Sequence, residues 1–231
     1  PRLDIHTEVD WHDRRALLRT ETPLAIHHGK AIGECAFGVI ERATHANTTW
    51  QQTAFEFAAH RFVDLAENGF GVALLNDAKY GYSARGNVLG LSLLRSPIYP
   101  DPLADEGHQA FTYALMPHEG NWHEAGVLTE AELLNQPPLT LAISGKAAGV
   151  QIPLKVSGVP AALGGLKLRE DSSSDLVLRV YEPAGRRGPI GVETPQGFAL
   201  GDAVTLLEEP SGAAADQLLP FEVKSWVIGR S

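Results

Sequence analysis

The chain has 231 residues, 44% of them hydrophobic, and a formal net charge of -9, enough for one large β domain or two small ones with an ordinary core. The acidic balance disfavours nucleic acid and anionic lipid as partners, because phosphate binding needs clustered Lys and Arg. A single cysteine, Cys35, excludes a disulfide framework within the chain and a cysteine-based zinc site, and no apolar run approaches the ~20 residues of a membrane span.

From Leu3 to Trp11 apolar and polar residues alternate, the pattern of a half-buried strand. There is no initiator Met, basic n-region or apolar h-region before it, and a chain opening in mid-strand reads either as a piece of a longer protein or as a native chain that has lost only its Met. Ala16–Thr20 and Glu34–Glu41 read as strands, separated by the turn-rich His27–Lys30. Ala54–Ala66 is ambiguous. Phe55, Ala58, Ala59, Phe62 and Leu65 form a helical stripe, and local propensity favours helix. Gly69 and Gly71 precede the apolar run Val72–Leu75, which Asn76 and Asp77 end. Val88–Leu94 is a further strand, and Pro97, Pro100 and Pro102 then forbid regular structure. Thr129–Leu134 predicts a helix of one or two turns, with Thr129 as cap and Glu132 at capping-box spacing.

After Pro138 the texture changes. Leu139–Ser144 is strand-like, and residues 145–165 are rich in Gly, Ala and Pro. Strands follow at Leu166–Glu170, Asp175–Glu182, Gly191–Glu193, Ala203–Leu207 and Phe221–Ile228, with Ser211–Ala215 reading as a mobile loop. Short strands at this spacing predict an all-β fold of sandwich type: a large antiparallel sandwich over 1–145 and a smaller β-sandwich over 146–231.

Three blocks carry a resemblance. Phe37-Gly38-Val39-Ile40-Glu41-Arg42-Ala43-Thr44-His45-Ala46-Asn47-Thr48-Thr49-Trp50 is the first. The second runs from Phe55 to Pro102, with Gly69–Asp77, Lys79-Tyr80-Gly81-Tyr82, Arg85-Gly86-Asn87 and Leu91–Pro97 as its most particular parts, and continues into Phe111–Leu115. Leu176–Pro183 is the third. Together they resemble the C-terminal region of glycoside hydrolase family 38, the retaining α-mannosidases of cytosolic and vacuolar type. Ala43 and Ala78 depart from the proline and cysteine frequent there. The resemblance implies a galactose-mutarotase-like supersandwich followed by a smaller sandwich, extended chain over Ala54–Ala66, and a cytoplasmic parent enzyme hydrolysing α-mannosides. It places the nucleophile, the acid/base carboxylate and a divalent metal, usually zinc, on an N-terminal catalytic domain outside these residues. No catalytic residue, metal ligand or cofactor is therefore carried over to this chain. The implied partners are that catalytic domain and a mannose-containing glycan, with homo-oligomerisation left open.

Individual residues carry their own signals beside this resemblance. Asp77 and Tyr80, with Asn76, Lys79 and Tyr82, form a set suited to sugar hydroxyls and sugar faces, or to plain sheet packing. Arg95, at the end of an apolar strand, either faces the catalytic domain or pairs with Asp77 or Glu56. These three, Arg95, Asp77 and Tyr80, are the candidate substrate-binding residues. Asp101, Asp105 and His108 bind a ligand or fix turns. The adjacent His27 and His28 would point to opposite faces of a strand, and His118 and His123 would need to converge across a loop to share a metal. Two alternatives stand beside the mannosidase reading: a free-standing carbohydrate-binding module with a platform of Trp11, Trp50 or Trp122, and a mutarotase-like epimerase using Glu41 with His60.

Overall fold

Strand-forming alternation dominates the chain, and the computed structural model, which describes residues 2–140, 142, 144–145, 154–171, 174–213 and 216–231, is all-β and antiparallel. In chain order the elements of the first part are β1 (Leu3–Trp11), β2 (Leu17–Pro23), β3 (Lys30–Cys35), β4 (Gly38–Ala43), α1 (Thr49–Thr53), β5 (Phe57–Ala58), β6 (Phe62–Glu67), β7 (Phe70–Asn76), β8 (Gly81–Arg85), β9 (Val88–Arg95), β10 (Gly107–Glu119) and α2 (Val127–Asn135). The second part holds β11 (Lys155–Gly158), β12 (Ala162–Leu168), β13 (Leu176–Tyr181), β14 (Gly188–Glu193), β15 (Phe198–Val204), β16 (Gln217–Leu218) and β17 (Val223–Arg230). By their contacts the residues form two units, Pro1–Ala36 with Ile40–Thr140, and Phe37–Val39 with Leu141–Ser231. The strand expected at Leu139–Ser144 and the loop expected at Ser211–Ala215 lie partly outside the described residues.

The first unit is a sandwich. A six-stranded sheet of order β1-β10-β7-β6-β3-β4 contributes one layer, and a four-stranded sheet of order β2-β9-β8-β5 the other. Period-2 alternation sorts the residues of each strand between two faces. Val63, Leu65, Val72 and Leu74 join Tyr82, Leu89 and Leu91 in the buried core. The alternate residues Phe62, Asp64, Ala73 and Leu75 fall on the outer face of the six-stranded sheet, where Phe62 meets Trp122 at 5.6 Å between ring centroids. There α2 packs on β6 and β7 and buries Val127 and Ala131. In the second unit, sheets of order β12-β13-β17-β15 and β11-β14-β16 enclose a separate core around Leu178, Val180, Ile190, Leu218, Trp226 and Ile228.

Several expectations are corrected. Glu34–Glu41 is two strands, β3 and β4, joined at Ala36-Phe37, and Phe37 takes a left-handed φ of 60° at the turn. Over Ala54–Ala66 the extended chain that the resemblance implies is what forms, against the local helical stripe, since β5 and β6 occupy that stretch. The helix lies just before it: Thr48 accepts from the Gln51 backbone N–H and Gln51 reciprocates, a capping box for α1. The later helix does not start at Thr129. Gly126, in the left-handed region at φ 76°, is the N-cap of α2, with no side-chain cap bond. Strands β11 and β12 arise within or from the Gly-rich stretch 145–165, and Thr205–Leu207, expected as strand, is a turn beyond β15.

Candidate functional site

At the end of β7 the chain crosses from one layer of the first unit to the other, and the crossing is fixed by Asn76. Its buried amide donates to the His60 carbonyl at 2.8 Å and to the Tyr82 hydroxyl, and accepts from the Lys79 backbone N–H. Asp77 exchanges bonds with Thr112: Oδ2 accepts from the Thr112 N–H at 2.9 Å, and the Asp77 N–H donates to the Thr112 carbonyl at 3.1 Å. Its Oδ1 is buried without a hydrogen-bond partner among the described residues. Tyr80 is exposed and stands edge-on to His60, and Lys79 Nζ lies 4.5 Å over the Phe111 ring. Because β8 and β9 are antiparallel with Gly81 opposite Ser92, Arg95 lies at the end of the sandwich where this loop enters β8.

Arg95 thus shares an end with Asp77 and Tyr80, but no hydrogen bond or ion pair joins the three among the described residues. The Arg95 backbone N–H donates to Asp105 Oδ2 at 2.9 Å, and its side chain is exposed. The alternative pairing with Asp77 or Glu56 is not formed. Glu56 is taken by Arg19, whose guanidinium also donates to Ser92 at 2.8 Å and Ser83 at 2.7 Å on the outward face of the four-stranded sheet.

The remaining candidates separate. Asp101 accepts from the Leu103 N–H and so fixes its own turn, while His108 lies in β10 opposite Asp10. His28 Nδ1 bonds the Lys30 carbonyl, and the His27 N–H donates to Glu67, both outside any strand. His123 packs edge-on against Trp122, whereas His118 bonds Asp64. Glu41 pairs with Lys30, and His60 faces Tyr80, so the pair nominated for epimerisation has separate partners. Trp11 and Trp122 are buried, which leaves only Trp50, at 85% exposure, of the three platform candidates. Among the described residues no group of three or more His, Cys, Asp or Glu could hold a metal ion. The divalent metal implied for the parent enzyme finds no donor set among the described residues.

One polar pair on the outer face of the six-stranded sheet is marked by no motif in the sequence. Asp64 and His118 are both buried, and His118 Nε2 lies 2.8 Å from Asp64 Oδ1. In the sheet His118 sits opposite Gly71, and Gly71 opposite Ala66. The imidazole crosses β7 over the missing side chain of Gly71. Burial pushes the Asp64 carboxyl up, and the bond to His118 opposes this. The bond to Asp64 raises the His118 imidazole, against the effect of burial. Asp64 also lies at a cleft of ≈ 590 Å³ whose lining includes Lys30, Glu41, Glu67, Asn68 and Trp122. The only signal in the sequence was the glycine inside an apolar strand, which marks a close approach without naming the group that approaches.

Set beside known proteins, the chain matches the glycosyl hydrolases family 38 C-terminal domain over residues 1–103 and the family 38 C-terminal beta sandwich domain over residues 161–226. The chain belongs to glycosyl hydrolase family 38, in its C-terminal β region. It is 46% identical over 188 residues to human alpha-mannosidase 2C1, covering 80% of this chain and 18% of that protein. The mouse alpha-mannosidase 2C1 is 41% identical over 240 residues, covering 99% of this chain and 23% of its own length. The chain thus spans about a fifth of the length of these relatives. The crystal structure of an alpha-mannosidase from Enterococcus faecalis V583 shares the fold, with a TM-score of 0.82 at 19% identity over 98% of this chain and 27% of that one.

Proposed function

We propose that this chain is the β portion of a retaining α-mannosidase that hydrolyses α-mannosides, and that its part is to complete and support a catalytic domain supplied by the rest of the parent protein. The observation that carries the reading is the 46% identity with human alpha-mannosidase 2C1 over four-fifths of this chain, in addition to the match of both β domains to the family. Retention requires a carboxylate to attack the anomeric carbon and a second carboxyl, ~5–5.5 Å away, to protonate the leaving oxygen and then activate water. Those two groups, and the zinc expected of the parent, belong to the N-terminal catalytic domain. The end of the first unit that carries Arg95, Asp77 and Tyr80 is the surface assigned to that domain and to the mannose-containing glycan. Exposed Tyr80, Ile98, Tyr99 and Leu103 lie in its loops. The enzyme is assigned to the cytoplasm on the resemblance to the cytosolic and vacuolar type alone. No helix among the described residues is long and apolar enough to cross a membrane.

The test is release of nitrophenol from an aryl α-mannoside. The 231-residue chain alone, with Zn²⁺ or Co²⁺ supplied, is expected to give no release above a buffer blank, and the full-length parent is expected to turn the substrate over. Hydrolysis by the chain alone, or an inactive parent, overturns the proposal.

A further inference from the structure

An asparagine carries an electrophilic carbon, Cγ, within reach of the main-chain nitrogen of the next residue. When that nitrogen attacks, a five-membered imide closes. The step is favoured where hydrogen bonds do not hold the side-chain amide, where the next residue places no Cβ against the ring, and where the main chain can rotate. A following glycine meets the last two conditions together.

The chain has six asparagines, and only Asn68 precedes glycine. The others are held or crowded. The Asn76 amide is buried and bonded to His60 and Lys79. Asn87 donates to the Leu24 carbonyl at 2.6 Å, and Asn135 to the Asn76 carbonyl at 2.9 Å. Asn121 Oδ1 accepts from the His123 and Glu124 N–H groups. Asn47 is followed by the β-branched Thr48. Asn68 and Gly69 differ from all of these. They are the two exposed residues between paired Glu67 and Phe70, at the tip of the hairpin joining β6 to β7. Among the described residues no hydrogen bond holds the Asn68 amide or the Gly69 N–H. Gly69 stands at φ 97°, and the space a Cβ would fill there is open.

We infer that Asn68 is a site of spontaneous deamidation. Hydroxide takes the Gly69 amide proton and the nitrogen attacks Asn68 Cγ. A C–N bond closes the succinimide, the bond from Cγ to Nδ2 breaks, and ammonia leaves with a proton from water. Water then opens the ring, at the main-chain carbonyl to give isoaspartate or at Cγ to give aspartate. The net change is hydrolysis of an amide to a carboxylate and an ammonium ion, with no oxidant, reductant or cofactor. Either product sets a new carboxylate beside the exposed Glu67. Isoaspartate also adds a methylene to the main chain next to Gly69, whose carbonyl accepts the Gly120 N–H at 3.0 Å. Its free α-carboxylate makes the tip a substrate for a protein-isoaspartate methyltransferase.

The 231-residue chain is incubated in buffer at pH 8.5 and at pH 6, and samples are digested and mapped by mass. The peptide holding Asn68 is expected to gain about one mass unit, several-fold faster than any other asparagine peptide. Conversion should be faster at pH 8.5, because the attacking nitrogen must lose its proton. The incubated chain should also accept methyl groups from S-adenosylmethionine and a protein-isoaspartate methyltransferase. Asn68→Gln changes only an exposed side chain and would need a six-membered ring, so it is expected to abolish the methylation. A folded chain that stays unconverted at Asn68 while the urea-unfolded chain converts, conversion first at another asparagine, or undiminished methylation of Asn68→Gln overturns the inference.

Discussion

His118 reaches Asp64 across a glycine. The imidazole of β10 and the carboxylate of β6 are separated by the whole of β7, and they meet at 2.8 Å because Gly71 has no side chain in the way.

Gly71→Ala is therefore expected to destabilise the chain by about 1–3 kcal/mol, the usual result of overpacking. Its Cβ would also stand 2.7 Å from Ala66 Cβ, while in Gly33→Ala the nearest atoms, of Ala59 and Phe57, are at 3.4 Å. Gly33→Ala serves as the control and is expected to be neutral or slightly stabilising, since it restricts the unfolded chain. Urea unfolding midpoints of the two variants check the contrast.

Stability should fall as pH rises above 6.5. His118 has its pKa raised in the folded chain from 6.5, chiefly by the bond to Asp64. The unfolded chain then loses that proton first, so the stabilisation is complete below pH 6.5 and is lost as pH climbs through the folded value. The slope is at most about 1.4 kcal/mol per pH unit for one proton. Burial of the Asp64 carboxyl contributes a slope of the same sign at lower pH, from 3.8 upward. Urea unfolding between pH 6 and 8.5 measures the His118 part, and Asp64→Asn should flatten it.

Removing the Thr48 cap should melt α1 and leave the rest intact. Thr48→Ala is expected to cost about 1 kcal/mol of local stability. Because α1 buries no residue, the global unfolding midpoint should move by less than about 0.5 kcal/mol. Amide exchange at Gln52 and Ala54, which bond the Thr48 and Trp50 carbonyls, should quicken in the variant.

Arg19 joins Glu56, Ser83 and Ser92 through one planar group. Arg19→Ala leaves the partly buried Glu56 carboxylate with the Ser92 hydroxyl and no cation, and is expected to destabilise by about 1–3 kcal/mol. Arg19→Lys should recover little, because an ammonium cannot span all three partners. A denaturation series on the two variants decides it.

In the full-length parent, Arg95→Ala is expected to lower turnover of an aryl α-mannoside several-fold while changing stability by less than about 0.5 kcal/mol, as its side chain is exposed. Equal losses in both measurements would remove Arg95 from the surface facing the catalytic domain.

β1 was legible in the sequence from its alternation, and β9 and β13 from their apolar runs. The turn between β3 and β4 was not. Phe37 adopts the left-handed backbone that usually belongs to glycine, so no turn residue announced it. In Ala54–Ala66 the local pattern suited a helix equally well, and only pairing with β7 and β8 settled the matter. The Asp64–His118 pair was beyond reach for another reason. Its members lie 54 residues apart, and what unites them is the register of three strands, which no local pattern encodes.

Strand order also constrains when the molecule can form. β1 has β10 as its hydrogen-bonded neighbour, with Leu3 paired to Leu115 and Trp11 to Gly107. During synthesis β1 is made long before its partner, and everything from β2 to β9 emerges while β1 waits. Closing so long a loop is slow and leaves the waiting strand open to wrong partners. A substitution that weakens β10 should therefore reduce the yield of folded chain made in cells more than it reduces the stability of the chain once folded.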